Sequence, residues 1–215
     1  MHGFDLLIFD MDGVLVNTTP CHERAYQDLW CEIGIEGPPY QMIAGRKTSE
    51  VVREFTKSLK PSAEQESAWV HFKQMRAREY LSTEDISYSD SALCLSTLAA
   101  CGLPAALGTS ASRDNTLMIL KRLGFVNFFP IVVTAEDVTQ GKPSPEIYLS
   151  VIARARVQPE RVLVIEDSVA GLQAGAAANA YVASIRTGER IDDPRFIGSF
   201  SDLRELLPGI GIELS

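Results

Sequence analysis

The chain has 215 residues and a formal net charge of −8, and this length is enough to bury a real hydrophobic core. The acidic balance argues against a nucleic-acid surface, because a phosphate backbone requires a basic footprint. The sequence shows no basic leader or apolar signal region at its start and no apolar run long enough to span a bilayer. We therefore expect a cytoplasmic protein, a monomer or weak dimer, with neither a nucleic-acid nor a membrane partner.

The first predicted strand covers residues 6–10, an apolar run that ends in a carboxylate. Apolar residues at helical spacing then predict helices over 20–33, from about 48, and over 61–80, with Ser and Thr residues as candidate caps. No strand signal interrupts the sequence from about residue 18 to about residue 85. We predict that residues 18–85 form an all-helical cap domain. This domain should lie above the carboxyl edge of the sheet, because it begins soon after the end of the first strand.

From residue 86 onward, strand and helix signals alternate. The predicted strands and helices, in chain order, cover residues 92–101 (helix), 103–107 (strand), 112–123 (helix), 131–133 (strand), 144–155 (helix), 162–165 (strand), 168–178 (helix), 182–185 (strand) and 202–207 (helix). This alternation is typical of a mostly parallel sheet flanked by helices. We predict an α/β protein with a discontinuous Rossmann-like core, residues 1–17 and 86–215. The four cysteines show no CxxC or Cys/His metal spacing, so we expect reduced, mostly packed thiols.

Polar side chains follow four of the predicted strands at their carboxyl ends, which share one edge in a parallel sheet. In chain order they are Asp10 and Asp12, Thr109 and Ser110, Lys142, and Glu166 and Asp167. Crowded carboxylates repel one another, and a hard cation such as Mg²⁺ relieves that repulsion while it also binds a substrate phosphate. With a lysine and a hydroxyl beside it, this edge has the groups that phosphoryl transfer requires.

The sequences Asp10-Met11-Asp12-Gly13-Val14, Thr109-Ser110, Gly141-Lys142-Pro143 and Glu166-Asp167-Ser168 resemble, in order, the four motifs of the haloacid dehalogenase superfamily. The insert resembles the helical cap of its β-phosphoglucomutase-like branch. The resemblance implies that Asp10 is the nucleophile, which forms an aspartyl-phosphate, and that Asp12 is the general acid and base. It also implies that Mg²⁺ is held by Asp10, the Asp12 backbone carbonyl, Asp167 and, through water, Glu166.

The same resemblance implies a phosphate-binding set made of Met11, Thr109, Ser110 and Lys142. Whether Thr109 or Ser110 supplies the hydroxyl depends on the strand register, and Thr109 is favoured as the first hydroxyl after the strand. Dehalogenases of the superfamily lack an aspartate at the position of Asp12. Its presence here therefore indicates an alkoxide leaving group, hence a phosphate ester.

Three residues of the insert are predicted to contact the substrate. His22 follows closely on the first motif and resembles a histidine of the β-phosphoglucomutase-like branch, and Arg46 and Lys47 form a basic turn before a helix. A lone histidine and a basic turn are also common surface features, and this second interpretation stays open.

These features predict a Mg²⁺-dependent phosphatase that acts on a small phosphorylated metabolite, for instance a sugar phosphate, through an aspartyl-phosphate. One alternative is a phosphomutase of the β-phosphoglucomutase type, which shares every core residue and differs in the acceptor of the phosphoryl group. Against it, Asn17 replaces an aspartate that is usual in that branch. Another alternative is a non-catalytic phospho-acceptor or binding protein, which an intact Asp12 argues against.

Overall fold

The computed structural model describes residues 3–214, so the outermost positions of the predicted core, 1–2 and 215, lie outside the described residues. Six strands form one sheet in the order β3-β2-β1-β4-β5-β6, and every neighbouring pair is parallel. The strands are β1 (Leu6–Phe9), β2 (Ala105–Gly108), β3 (Val132–Val133), β4 (Val162–Glu166), β5 (Tyr181–Ile185) and β6 (Phe196–Phe200). This architecture confirms the predicted α/β fold class with a parallel sheet flanked by helices.

The central strands are apolar on both sides because helices cover both faces of the sheet. Along β1, Leu7 and Phe9 face one helical layer, whereas Leu6 and Ile8 face the other. The first layer contains α4 (Ser91–Cys101), α5 (Arg113–Leu123) and α8 (Leu203–Gly209), and the second contains α6 (Glu146–Ala155) and α7 (Val169–Ala177). The alternation of side chains along each strand thus builds two apolar cores.

Three helices lie between β1 and α4 in the chain, as predicted. They are α1 (Thr19–Ile33), α2 (Thr48–Thr56) and α3 (Ala63–Thr83), and we call residues 19–83 the helical insert. Ser62 begins α3 with a capping box, in which its hydroxyl accepts from Gln65 N and the Gln65 side chain accepts from Ser62 N. The insert has its own apolar cluster, made of Tyr26, Leu29, Trp30, Ile43, Val51 and Val52. The exact domain boundaries stay a prediction.

Two local expectations differ from the structure. Strand β6 was not predicted, because all five of its residues are only partly buried and Gly198 interrupts its apolar pattern. Cys31 and Cys101 are exposed, so the expectation of packed thiols is wrong for these two residues, which lie on solvent-facing sides of α1 and α4. Among residues 3–214, no helix combines the length and apolarity needed to cross a membrane.

Candidate active site

The register of the three central strands brings the predicted motifs together. Phe9 of β1 pairs with Leu107 of β2 on one side and with Ile165 of β4 on the other. The next residue of β1, Asp10, therefore lies beside the end of β2 and beside Glu166, the last residue of β4. The carboxyl ends of parallel strands are the usual place for chemistry in such sheets.

Lys142 forms the ionic centre of this edge, and its side chain is fully buried. Its ammonium donates to Asp10 Oδ1 and to Glu166 Oε1, each at 2.6 Å, and to the Gly108 carbonyl at 3.2 Å. These three acceptors match the three N–H groups of a lysine. Burial by itself lowers the pKa of Lys142, but the charges of Asp10 and Glu166 outweigh it and hold the pKa well above its ordinary value. The lysine is therefore a permanent cation beside Asp10.

Glu166 is fixed by partners on both of its carboxylate oxygens. Oε1 accepts from the Tyr148 hydroxyl at 2.5 Å, and Oε2 accepts from Ser168 Oγ and from the Asp167 backbone N–H, both at 3.1 Å. A Cβ at Gly171 would lie 1.9 Å from the Glu166 carboxyl carbon, so only glycine fits there. Tyr148 was missed in the sequence, where it shows only as one of the buried residues along α6.

Three carboxylates crowd this edge, because one oxygen from each of Asp10, Glu166 and Asp167 lies within 4.8 Å of the others. Burial, reinforced by the charge of Glu166, raises the pKa of Asp10 to about 8 although Lys142 opposes the shift. Burial and the neighbouring carboxylates also raise the pKa of Asp167 well above its usual range. Gly13, with φ of 77°, allows this approach, since a Cβ there would lie 1.9 Å from Asp167 Oδ2. Such an oxygen cluster has the charge and donor type that suit a hard divalent cation.

Asp12 faces the helical insert, and its partners are Thr18, the residue just before the insert, and His22 within it. Asp12 Oδ1 accepts from Thr18 Oγ1 at 2.5 Å and from His22 Nε2 at 3.3 Å, and Lys73 Nζ donates to His22 Nδ1 at 2.9 Å. The donation from Lys73 fixes the tautomer of His22, with its proton on Nε2 toward Asp12. The Lys73 ammonium also lies 4.4 Å from the centre of the Tyr26 ring. Burial raises the pKa of Asp12, but His22 and Thr18 outweigh it and lower the pKa overall.

The two hydroxyls after β2 occupy different places. Thr109 is fully buried, and its Oγ1 accepts from the Ala111 backbone N–H at 3.1 Å. Ser110 lines the cavity and donates to the Gly45 carbonyl of the insert at 2.7 Å. The structure therefore places Ser110 on the cavity wall, not the favoured Thr109, because Thr109 N still pairs with Val133 O and the side-chain alternation of the strand turns Thr109 inward.

The remaining predicted substrate-binding residues differ in whether their side chains reach the cavity. Met11 is fully buried in the apolar core, so its predicted phosphate contact depends on its backbone. Arg46 lines the cavity and donates to Glu54 at 2.6 Å. Lys47 does not line it, because its Nζ reaches the Val138 carbonyl at 2.7 Å. The cavity also has polar wall residues that the sequence did not single out, namely Tyr26, Tyr40, Lys73, Gln74, Ser112 and Asn115.

The edge of the sheet thus combines a buried aspartate paired with a lysine, a second aspartate bonded to a histidine, and an acidic cluster. These are groups that phosphoryl transfer uses. Residues 7–185 match the family model described as haloacid dehalogenase-like hydrolase. The chain belongs to the haloacid dehalogenase-like hydrolase family, which confirms the resemblance seen in the sequence and the expectation of an enzyme.

The comparison with individual proteins agrees with this assignment. A phosphorylated carbohydrates phosphatase of Thermotoga maritima is 33% identical over 181 residues, which cover 81% of each chain. Fructose-1-phosphate phosphatase YqaB of Escherichia coli is 29% identical over 188 residues, 84% of this chain and 95% of its own. The crystal structure of β-phosphoglucomutase from Clostridium difficile superposes with a TM-score of 0.81 at 22% identity, covering 94% and 93% of the two chains. This last likeness shows a shared fold.

Proposed function

We propose that this protein is a Mg²⁺-dependent phosphatase that hydrolyses a small phosphorylated carbohydrate through an aspartyl-phosphate on Asp10. The observation that carries the proposal is the ion pair between Lys142 Nζ and Asp10 Oδ1, at 2.6 Å, in a cavity that Asp12 also lines. Nucleophile, cation and proton shuttle thereby come together at one point.

In the first step, Asp10 attacks phosphorus as a carboxylate and the ester P–O bond breaks. A cation bound at the acidic cluster would favour this form of Asp10, because positive charge lowers the pKa of a neighbouring carboxyl. Asp12 gives its proton to the leaving alkoxide, and Lys142 offsets negative charge beside Asp10. The pKa of Asp12 is lowered in the free protein, but the charge of a bound phosphate ester raises it, since a nearby anion disfavours the ionised carboxyl. Binding of the ester therefore brings Asp12 toward the acid form that this step requires.

In the second step, Asp12 takes a proton from water, the water oxygen attacks phosphorus, and the bond between phosphorus and Asp10 breaks. Inorganic phosphate leaves and the Asp10 carboxylate is restored. His22 orients Asp12 in both steps through its Nε2 proton. Covering of the cavity by the helical insert limits the entry of water until an ester is bound.

The acidic cluster fits Mg²⁺, because oxygens of Asp10, Glu166 and Asp167 converge within 4.8 Å and buried carboxylates need a positive partner. Asp10, Asp167 and the backbone carbonyl of Asp12 would hold the ion, with Glu166 acting through water because its own oxygens already have protein partners. When bound, Mg²⁺ supplies positive charge to the oxygens of the transferring phosphoryl group.

The substrate class in this proposal comes from the relatives, which are named for phosphorylated carbohydrates and for fructose 1-phosphate. The cavity supports it with amide and hydroxyl groups that suit a polyol, from Tyr40, Gln74, Ser112 and Asn115. Partners of this type can bind several sugar hydroxyls at once.

The test is release of inorganic phosphate from a panel of sugar phosphates, with and without a chelator. We expect hydrolysis of at least one ester, loss of activity on chelation with recovery on added Mg²⁺, and a loss of at least about a thousandfold in Asp10→Asn. Full activity in the presence of the chelator, or in Asp10→Asn, would contradict the proposal.

A phosphomutase is the second candidate, because the chemistry at Asp10 is the same and only the acceptor hydroxyl differs. The polar cavity wall formed by Gln74 and Asn115 is compatible with it, since these amides can hold an acceptor sugar as well as a leaving group. Conversion of β-glucose 1-phosphate to glucose 6-phosphate without net phosphate release would decide for the mutase.

A further inference from the structure

The loop that leads into Lys142 is held from two sides. Its backbone N–H groups at Thr139 and Gln140 both donate to the Glu146 carboxylate of the core, each at 2.7 Å. The next N–H, that of Gly141, donates instead to Glu50 Oε1 of helix α2 at 2.5 Å. The core thus anchors two consecutive amides, and the helical insert anchors the third.

The other end of the loop is also attached to the insert. Lys47, the residue before α2, donates from Nζ to the Val138 carbonyl at 2.7 Å. Lys47 and Glu50 lie three residues apart, so one turn of the insert binds the loop at both ends, once as donor and once as acceptor. Both bonds include a charged group, and such hydrogen bonds are stronger than neutral ones.

Gly141 packs closely against the insert. A Cβ there would lie 2.7 Å from Lys47 Cβ and 3.0 Å from Glu50 Oε2. Gly141 does not adopt a positive φ, so it is the contact with the insert, rather than backbone strain, that requires glycine here. The surfaces are therefore shaped for each other.

The position of Lys142 itself does not depend on the insert, because its ammonium is fixed by Asp10, Glu166 and Gly108 of the core. The bonds from Lys47 and Glu50 instead hold the helical insert against the core, the two parts of the protein that form the cavity. Through them, the turn that carries Arg46 stays over the cavity that Asp10 also lines.

We propose that Lys47 and Glu50 are positioning residues that latch the helical insert onto loop 138–141 and so keep the cavity covered during phosphoryl transfer. We call this pair the insert latch. Its catalytic consequence rests on the proposed function, whereas the latch itself is a property of the protein without substrate. Lys47 thereby has a role other than the substrate contact predicted from the sequence.

The direct test is amide hydrogen exchange of the free protein, read residue by residue by NMR. In Glu50→Ala we expect the Gly141 amide to exchange faster by about tenfold or more, because it loses a charged acceptor. The Thr139 and Gln140 amides should keep their wild-type rates, since Glu146 still holds them. Unchanged exchange at Gly141 in Glu50→Ala would overturn the latch.

Two further variants separate the latch from a general loss of stability. Glu66→Gln makes a similar charge change on α3, where Glu66 pairs with Arg53, and should leave exchange at Gly141 at the wild-type rate. Glu50→Gln keeps an acceptor oxygen and should restore most of the protection that Glu50→Ala loses. If Glu66→Gln accelerates Gly141 exchange as much as Glu50→Ala does, the effect is not local and the proposal fails.

Kinetics then test the consequence with two probes, a sugar phosphate that the wild type hydrolyses and acetyl phosphate, whose leaving group is small. In Glu50→Ala and in Gly141→Ala we expect kcat/KM for the sugar phosphate to fall about tenfold, and that for acetyl phosphate to fall much less. An equal fall with both probes would overturn the role in covering the cavity. A wild type inactive on every ester would refute the proposed function but leave the exchange result standing.

Discussion

The core and the helical insert each bury a lysine at the site, but they treat its charge in opposite ways. Lys142 of the core has two carboxylates at 2.6 Å, which hold its pKa well above the ordinary value. Lys73 of the insert has His22 Nδ1 and the Tyr26 ring as partners, neither of which carries a negative charge. Burial therefore lowers the pKa of Lys73 to about 8.

The difference indicates a division of labour between the two walls. In the core, the carboxylates of Asp10 and Glu166 offset the buried charge of Lys142 within the fold itself. The insert holds a cation whose burial the charge of Asp12 only partly offsets, and it does so at a cost in stability. The two lysines should therefore respond oppositely to removal of their charge.

Lys142→Met gives the largest expected effect on stability. The substitution leaves Asp10 and Glu166 buried without their cation, which costs about 3–5 kcal/mol of unfolding free energy when one partner of a buried ion pair is removed. Chemical denaturation at neutral pH measures it. Lys121→Met, at an exposed core lysine, is the matched control and should change stability by less than about 0.5 kcal/mol. If Lys142→Met were as stable as Lys121→Met, the ion pairs of Lys142 would not stabilise the core and the proposed difference between the two lysines would be wrong.

Lys73→Met should stabilise the protein at pH 7. A shift of the pKa from 10.5 to about 8 corresponds to a cost of about 3 kcal/mol in keeping Lys73 charged in the folded state. Between pH 8 and 10.5 the unfolded chain binds more protons than the folded one, so the wild type gains stability there relative to the variant. Denaturation at several pH values should show that the difference in unfolding free energy between Lys73→Met and the wild type becomes smaller as the pH rises from 8 to 10.5.

The control for Lys73→Met is Lys57→Met, at an exposed lysine of the same insert, for which no such gap is expected. Activity of Lys73→Met on the best ester should fall, because His22 loses the partner that fixes its tautomer. If Lys73→Met were less stable than the wild type at pH 7, the buried charge of Lys73 would be stabilised by its surroundings, as that of Lys142 is.

A smaller effect is expected from buried threonines in the two regions. Thr97 Oγ1 in the core is buried without a hydrogen-bond partner among the described residues, whereas Thr56 Oγ1 in the insert donates to Val52 O at 2.8 Å. Thr97→Val should add about 1 kcal/mol of stability, because it removes an unsatisfied hydroxyl. Thr56→Val should add none. Thermal unfolding of both variants measures the difference, and an equal gain in both would contradict this account.

The core wall was largely predictable because its chemistry is local in the sequence. The motifs of Asp10, Thr109 and Glu166 lie at the ends of strands, and the parallel register then brings Asp10 beside Glu166 without further information. Within the second motif the sequence was less informative, because the residue whose side chain faces the cavity, Thr109 or Ser110, depends on where the strand ends. Tyr148 could not be found this way, because its contact with Glu166 arises only when α6 packs on the sheet.

The insert wall was harder to predict, because its groups come from helices that are far apart in the chain. Lys73 is 51 residues from His22 in sequence. One signal was available: Lys73 shares a buried helical face with Ala77 and Tyr80, where a lysine is unexpected. The place of Lys47 depended entirely on packing against loop 138–141, which no local pattern encodes.

The most direct test of the central claim is to trap the acyl phosphate on Asp10. The enzyme is quenched with acid during turnover of its best ester, treated with borohydride, which reduces an aspartyl-phosphate to homoserine, and analysed by peptide mass spectrometry. We predict homoserine at position 10 only when both ester and Mg²⁺ are present, and none in Asp10→Asn. Ester hydrolysis at the full rate with an unmodified Asp10, or with the modification at another residue, would contradict the account.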